Sequence, residues 1–375
     1  MPFINDRLND IKEQQELKKF VSADGRDLEQ VRRESSVADH GVDLEDLRNG
    51  LLARIVGQDD AVDAVVRSVA VGKAGLNDRD RPLANILLLG PTGVGKTELV
   101  RQVASMLRSD PDDMSRIDMS SLSQEHYMAS LTGAPPGYAG SKENFSLFDR
   151  SKIAGDPYTP GIALFDEVEK AHRLVHRALL HVLDNGILKL ANGQETISFR
   201  NSYVFMTSNL GSVALMQRSR NRIGRLFDSA AHRVGLGESS LSKRILRTDS
   251  ELIVRDALEG FFEPEFINRI DEVVILNPLT GADAVDIVRL DVNDLVRRCS
   301  RRGINLVVDP GVLALVSAQG FDQIYGARSI KRLVRDQIAT PVAKAALAAR
   351  GSSGGAIHLV ARVHLGDILV THERS

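Results

Sequence analysis

The sequence predicts an α/β protein in which a parallel sheet of five strands is covered by helices, followed by a smaller α+β subdomain. Two observations carry this prediction. Short apolar segments alternate with helical patterns between residues 44 and 278. These segments are apolar throughout, rather than at every second position, which is typical of strands buried on both faces. The predicted strands are Ile86–Leu89, Arg116–Met119, Gly161–Phe165, Tyr203–Thr207 and Glu272–Leu276.

The N-terminal residues 1–42 are charged and show only patchy helical periodicity, so we expect a helical or disordered arm. Asp43 follows as the predicted N-cap of a helix with Leu44, Leu47 and Leu51 on its apolar face. The large α/β subdomain is therefore expected over residues 43–278.

A turn signal, Pro278-Leu279-Thr280-Gly281, marks the next boundary, so residues 279–375 are expected to form the small C-terminal subdomain. Its predicted elements are a helix at 282–300, a strand at 304–308, a helix at 311–318, a long helix at 328–348, and strands at 356–363 and 367–371.

The composition is that of a globular protein, with 43% hydrophobic and 26% charged residues among 375. A formal charge of −2 argues against a protein that coats nucleic acid, although a local basic patch could hide within it. Cys299 is the only cysteine, which excludes an intrachain disulfide and a cysteine-rich zinc site. The N-terminus is too polar for a secretory signal and no apolar run is long enough to cross a bilayer, so a cytoplasmic location is expected.

A phosphate-binding loop follows the first predicted strand, where Gly90–Thr97 fits the pattern GxxxxGK[ST] and a helical segment comes next. Glycines let the backbone N–H groups turn inward around a polyphosphate, and the N-terminus of the helix favours the negative charge. Lys96 is expected to reach the β- and γ-phosphates and the Thr97 hydroxyl to bind Mg²⁺. The predicted loop residues are Gly90, Pro91, Thr92, Gly93, Val94, Gly95, Lys96 and Thr97.

Two adjacent carboxylates, Asp166 and Glu167, end the third predicted strand. The carboxyl ends of parallel strands face the crevice in which nucleotides bind. We therefore expect Asp166 to hold Mg²⁺ and Glu167 to orient and polarise a water molecule for attack on the γ-phosphate. Taken alone, this pattern also fits a strand that runs into an ordinary acidic turn; the phosphate loop upstream favours the metal and water site.

Three further segments, Phe165–His172, Met206–Ser212 and Phe262–Glu272, resemble the AAA+ ATPases. Within that superfamily the chain resembles the Clp-type ring unfoldases and disaggregases, specifically the second ATPase module of the two-module members. The resemblance runs from about Leu44 to about Thr371. It implies an AAA+ P-loop NTPase core with a lid subdomain, and ATP and Mg²⁺ as cofactors.

The resemblance also implies roles for individual residues. Ile55 and Val56 match the segment that packs on adenine, and Asn209 matches a polar sensor between the two carboxylates and the γ-phosphate. Arg269 matches the arginine finger that reaches into the neighbouring subunit's site, and Arg328 matches the second sensor on the lid. Each arginine also has a simpler interpretation as a solvated surface residue. A finger that acts between subunits implies a homo-oligomeric ring, expected to be a hexamer.

Gly137-Tyr138-Ala139-Gly140 resembles the pore loop of the family, in which an aromatic side chain grips a translocating polypeptide. Tyr138 offers both apolar area and a hydroxyl, which suits a grip without sequence preference. This chain has alanine where the family usually has valine, and Ser141–Phe145 replaces the usual glycine-rich acidic stretch. An ordinary surface turn is the alternative interpretation.

The polar, arginine-rich segment 213–250 contains Val234, Gly235 and Leu236. Unfoldases that feed the Clp peptidase carry a similar aliphatic-Gly-Leu/Phe tripeptide in a loop at this place. A Clp-type peptidase is therefore one expected partner. An insertion with no fixed role is the alternative.

The sequence favours an ATP-driven ring unfoldase or remodeller that threads polypeptide substrates, with no membrane partner. One alternative is a nucleotide-switched scaffold or assembly protein that threads nothing. The other is a motor associated with nucleic acid, which would need a basic groove or an added binding module that the sequence does not make evident.

Overall fold

A computed structural model describes residues 43–123, 148–156, 158–189, 196–212, 254–320, 322, 326–350 and 357–372. The predicted pore loop around Tyr138 and the tripeptide Val234, Gly235 and Leu236 lie outside these residues.

The described residues contain a parallel sheet of five strands in the order β2-β3-β6-β1-β7, which confirms the predicted class. The observed strands begin or end within two residues of the predicted ones. Met119 is a correction, because it opens a 3₁₀ turn, Met119–Leu122, in which the Asp118 side chain accepts from the Ser120 N–H at 3.0 Å. The strands are β1 Ala84–Leu89, β2 Ser115–Asp118, β3 Gly161–Asp166, β6 Ser202–Ser208 and β7 Glu272–Ile275.

Helices cover both faces of this sheet. Successive residues of β1 enter different hydrophobic clusters, Leu87 on one face and Leu88 on the other, so every residue of β1 is buried. The predicted cap at Asp43 is present, and Leu47 and Leu51 of the first helix are buried. No helix within the described ranges is long and apolar enough to cross a membrane. The helices of this part with both ends described are α1 Leu44–Leu52, α2 Asp59–Lys73, α3 Lys96–Arg108, α4 Arg150–Ala154, α5 Arg173–Asn185 and α6 Pro264–Ile267.

A short antiparallel hairpin, β4 Ile187–Lys189 and β5 Thr196–Ser198, has no counterpart among the predicted elements. Strands of three residues are too short for apolar patterning to distinguish them from a loop.

The C-terminal subdomain contains a separate mixed sheet, β8 Ile304–Val308, β9 Ile357–His364 and β10 Asp367–His372, packed against helices. Strand β8 pairs with β9 in parallel, and β9 pairs with β10 antiparallel. The helices are α7 Gly281–Ser300, α8 Pro310–Gly320, α9 Ala327–Leu333 and α10 Thr340–Arg350. The placement of the subdomain boundary between residues 278 and 279 stays a prediction.

The long helix predicted over 328–348 is instead interrupted by a π-helical segment, Val334–Ala339, between α9 and α10. The cause is Pro341, which lacks an N–H and would clash with the carbonyl of Gln337 one turn earlier in an α-helix. The wider turn relieves this clash, and the Thr340 hydroxyl donates to the Arg335 carbonyl at 3.0 Å.

Two features flank the connection between the subdomains, just before the start of α7. The buried Gln58 side chain accepts from the Asn277 N–H at 2.8 Å and donates to its carbonyl at 2.9 Å, which pairs it with the connecting strand end much as a backbone would. Thr280 and Asp283 then form a capping box at the start of α7. These bonds hold the backbone on each side of the connection, at Asn277 and at Thr280.

Candidate active site

The phosphate loop connects the end of β1 to the start of α3, as the motif predicts. Its first residue shows why the sequence needs glycine. Gly90 has φ +149°, and a Cβ there would lie 2.6 Å from the Leu276 carbonyl oxygen. No other residue type fits this backbone without displacing the end of β7.

The Lys96 side chain lies inside the loop and is buried. Its ammonium donates to the carbonyl oxygens of Gly90 at 2.6 Å and Pro91 at 2.8 Å, and to Asn209 Oδ1 at 2.8 Å. Burial lowers the pKa of Lys96 to about 8; the charge of Glu169 opposes this shift and that of Arg328 adds to it. No ion pair among the described residues includes Lys96. A buried ammonium of this kind fits an anionic ligand such as a polyphosphate.

Asp166 occupies the carboxyl end of β3 and is 8% exposed. One carboxylate oxygen, Oδ1, accepts from the Thr207 hydroxyl, and the other, Oδ2, accepts from Arg116. The Thr97 hydroxyl oxygen lies 3.5 Å from both carboxylate oxygens. A hydroxyl and a carboxylate that face each other are the oxygen ligands that Mg²⁺ prefers, so these two residues fit the predicted metal site.

Glu167 has left-handed backbone torsions, φ 60° and ψ 53°, which are uncommon for a residue with a Cβ. Its N–H donates to the Thr207 hydroxyl oxygen at 2.9 Å, so the same threonine holds both acidic residues. The Glu167 carboxylate accepts from Lys170, which lies one turn on in the 3₁₀ segment Val168–Lys170. Non-glycine residues with such torsions cluster at active sites.

Asn209 follows β6, and its side-chain oxygen accepts from the Lys96 ammonium at 2.8 Å. Its role as a sensor between the two carboxylates and the γ-phosphate stays a prediction. Its side-chain amide donates to Glu169 Oε1 at 3.2 Å, and its backbone N–H donates to the same oxygen at 3.1 Å. Glu169 Oε2 is buried and accepts no hydrogen bond from any residue the structure describes. Glu169 is not among the predicted site residues, because a carboxylate two positions after Glu167 points inward only if a 3₁₀ turn follows the strand.

Arg116 and Thr207 were also missed as site residues. Alternate residues of a strand share one face, and β2 pairs with β3 so that Asp118 lies opposite Asp166. This register puts Arg116 on the face of Asp166. Parallel pairing alone does not fix this register, and the role of Thr207 likewise depends on side-chain contacts across strands.

The lid helix α9 begins directly on the phosphate loop. The Ala327 N–H donates to the Gly93 carbonyl at 3.0 Å. Gly326 has φ +53°, and a Cβ there would lie 2.7 Å from the same carbonyl oxygen. Arg328 is near enough for its charge to lower the pKa of Lys96, so the structure brings the predicted lid arginine to the phosphate loop.

The predicted adenine-packing residues lie between α1 and α2. Ile55 is buried in the same hydrophobic cluster as Val94 of the phosphate loop. Val56 is partly exposed beside it. The position of this cluster favours an adenine site next to the phosphate loop, and that site stays a prediction.

Arg269 lies near the start of β1, at the opposite end of that strand from the phosphate loop. Its carbonyl accepts from the Asn85 side chain at 3.0 Å, and its guanidinium lies 3.1 Å from Asp184. Asn85 is near the start of β1 and Gly90 follows its end, a separation of about 17 Å at the rise of a strand. The structure therefore does not bring Arg269 to the phosphate loop of its own chain.

The sheet, the phosphate loop and the acidic strand end define a P-loop nucleotide-binding protein. Residues 81–273 match the family described as AAA domain (Cdc48 subfamily), and residues 279–359 match the C-terminal, D2-small domain of ClpB protein. The chain therefore belongs to the AAA+ ATPases of the Clp family.

The proteins to which this chain is similar differ in how much of their length it covers. The chain is 54% identical over 326 residues to an ATP-dependent protease ATP-binding subunit-like protein of Rhodococcus erythropolis, covering 87% of this chain and 89% of that protein. It is 39% identical over 350 residues to the ATP-dependent protease ATP-binding subunit-like protein AmiB of Pseudomonas aeruginosa, covering 92% of each. The chaperone protein ClpB of Meiothermus ruber is 35% identical over 314 residues, which cover 84% of this chain and 34% of the chaperone.

Proposed function

We propose that this chain hydrolyses ATP in a hexameric ring and uses hydrolysis to thread polypeptides through the central pore. One arrangement carries the proposal: Asp166 and Glu167 are held by the same threonine at the end of β3, and Asp166 faces the first turn of the phosphate-loop helix. This is the geometry that hydrolysis of a phosphate anhydride needs, with a cation site and a base next to an anion site.

Each residue then has one task. Lys96 and the loop N–H groups bind the β- and γ-phosphates, while Thr97 and Asp166 supply the oxygen ligands for Mg²⁺. When bound, Mg²⁺ neutralises charge on the phosphate oxygens. Glu167 orients the attacking water and accepts its proton. Because Thr207 fixes the Glu167 backbone, the carboxylate can leave Lys170 for the water by side-chain rotation alone.

The position of Arg269 supports a ring. Its carbonyl is held by Asn85, which lies about 17 Å from the phosphate loop of the same chain along β1. Arg269 can stabilise the transferred phosphoryl group only in a neighbouring copy, where it adds positive charge to the transition state. A head-to-tail interface of this kind closes into a ring, whereas Arg328 acts within its own chain from the lid.

Replacing Glu167 with glutamine tests the chemistry. Glu167→Gln should bind ATP with nearly normal affinity and lose hydrolysis by about 100-fold or more, because the amide cannot accept the proton. Glu45→Gln, an exposed change on α1, is the matched control and should hydrolyse ATP normally. Normal turnover by Glu167→Gln would refute the assigned role.

Tyr138 tests the threading step. Tyr138→Ala should keep ATP hydrolysis and lose the unfolding of a tagged fluorescent substrate, because the grip on the polypeptide is removed. Preserved cellular function with Tyr138→Ala would favour a nucleotide-switched scaffold. ATPase stimulation by DNA, with none by unfolded protein, would favour a motor on nucleic acid.

Delivery to a Clp-type peptidase is the last part of the proposal. An apolar side chain such as that of Leu236 suits a hydrophobic pocket on a peptidase ring. Replacing Val234, Gly235 and Leu236 together should abolish degradation by an added Clp-type peptidase while ATP hydrolysis continues. Unchanged degradation would end this part of the proposal.

A further inference from the structure

Arg116 makes a two-donor contact with the metal carboxylate of the candidate site. Its Nε and Nη2 atoms lie 3.1 Å and 2.5 Å from Asp166 Oδ2. Arg116 belongs to the edge strand of the sheet, and its side chain is 52% exposed, whereas that of Asp166 is 11% exposed. A half-exposed arginine on an edge strand can swing into solvent, while Asp166 is fixed by the sheet.

The contact uses acceptor sites that a metal ion would need. A carboxylate offers about four lone-pair sites. Arg116 takes both sites of Oδ2, and the Thr207 hydroxyl takes one site of Oδ1. The Thr97 hydroxyl oxygen lies 3.5 Å from Oδ1, which keeps one site, and 3.5 Å from Oδ2. A cation or its bound water at Asp166 must therefore share the carboxylate with a guanidinium, which repels it.

We propose that Arg116 competes with Mg²⁺ for Asp166 and so lowers the affinity of the site for the metal. This inference rests on the proposed function, in which Thr97 and Asp166 bind Mg²⁺. Arg116 is a positioning residue in this scheme, since it acts on the metal through Asp166. Because of this competition the bound cation exchanges readily, and the site releases Mg²⁺ and ADP after each turnover.

A purely structural ion pair predicts the opposite effect of removing Arg116. Loss of a structural partner would loosen β2 against β3 and weaken metal binding. Loss of a competitor leaves Asp166 more negative and with free acceptor sites, which tightens metal binding. The direction of the change therefore separates the two roles.

The experiment measures Mn²⁺ binding by electron paramagnetic resonance, using the full chain with saturating ADP. Arg116→Gln should bind Mn²⁺ about 10-fold more tightly than the natural protein, because a unit charge a few ångströms from the cation is removed from a partly screened site. Arg48→Gln is the matched control: Arg48 is 44% exposed and pairs with Asp63 at 2.7 Å on α1 and α2. Its Mn²⁺ affinity should not change.

The same titration on Asp166→Asn separates failure of the inference from failure of the proposed function. If Asp166→Asn loses Mn²⁺ binding while Arg116→Gln binds no more tightly than the natural protein, the competition is refuted and the metal site stands. If Asp166→Asn binds Mn²⁺ as the natural protein does, both are refuted. Should Arg116→Gln fail to fold, Arg116→Met decides, because it also removes the charge and both donors from Asp166 while keeping an unbranched side chain on β2; it should bind Mn²⁺ more tightly than the natural protein, and an equal or weaker affinity overturns the inference.

Discussion

Arg54, just after α1, and Asp294 on helix α7 of the C-terminal subdomain form a bidentate ion pair, with both N–O distances at 3.0 Å. The pair links the polypeptide just before the predicted adenine segment to the subdomain that carries Arg328. Burial alone would raise the pKa of Asp294, but hydrogen bonds from Arg54 and Arg297 outweigh it and hold that pKa below its usual value.

Removing this ion pair should loosen the lid. Arg54→Ala should lower the free energy of unfolding by about 1 kcal/mol, a modest value because both side chains are about one-third exposed and screened. The affinity for nucleotide should fall about 5-fold, since ordering the lid then opposes binding. Because the pKa of Asp294 is lowered by folding, its stabilising contribution is present above about pH 4 and is lost as the pH falls through the folded value.

Calorimetric nucleotide titration and urea unfolding check this prediction. Arg48→Ala breaks the ion pair with Asp63, which lies within the large subdomain, and serves as the control. Equal losses of nucleotide affinity in the two variants would contradict a specific role for the Arg54–Asp294 pair at the lid.

The contact between Gly326 and Gly93 gives a second prediction. In Gly326→Ala the new Cβ would meet the Gly93 carbonyl oxygen at 2.7 Å with φ at +53°. The start of α9 must then shift, so the affinity for nucleotide should fall about 10-fold and the stability by about 1 kcal/mol or more. Gly281→Ala is the matched control, because no atom lies within 4 Å of a Cβ at that position. Unchanged nucleotide affinity in Gly326→Ala would show that the lid does not depend on this contact.

Without bound nucleotide, the buried ammonium of Lys96 should lower the free energy of unfolding. Its pKa is about 8 in the folded chain and about 10.4 when unfolded, so the unfolded chain binds more protons between these values. The cost of burying the ammonium is full below pH 8 and declines as the pH rises towards 10.4. Lys96→Met, measured without added nucleotide, should therefore be more stable than the natural protein by roughly 1–3 kcal/mol at pH 7, with an advantage that shrinks above pH 8.

Urea unfolding at several pH values checks this prediction. Lys344→Met, on the exposed side of α10, should show no such dependence on pH. A gain in Lys96→Met that stays constant from pH 7 to pH 10 would rule out burial of the ammonium as its cause. Nucleotide binding should be lost in Lys96→Met at every pH.

The sheet and the central motif were predictable because each depends on local sequence. Continuous apolar runs identify β1 and β3, and the motif after β1 identifies Lys96 and Thr97. A parallel sheet then brings the end of β3, with Asp166, next to the loop. The same reasoning fails where a side chain makes its contact across strands, as Thr207 does with Asp166.

Two other features could not be predicted, for different physical reasons. The π-helical segment depends on how Pro341 is accommodated, since a proline there equally permits a kink or a helix end. Glu169 turns inward because of the left-handed backbone at Glu167, and a positive φ at a non-glycine residue has no sequence signal.

Arg269 lies far from the phosphate loop of its own chain, and this position predicts complementation between two inactive variants. Arg269→Ala and Glu167→Gln should each bind nucleotide and hydrolyse it poorly. In a mixed ring, an Arg269→Ala subunit keeps its own Glu167, and a Glu167→Gln neighbour supplies the arginine. In a random equal mixture about a quarter of the interfaces have this order, so ATP hydrolysis should recover to about a quarter of the natural rate if sites act independently.

Mixing each variant with itself after the same dissociation and reassembly is the control. Activity no higher than that of the two separate variants would mean that Arg269 does not act in the neighbouring site.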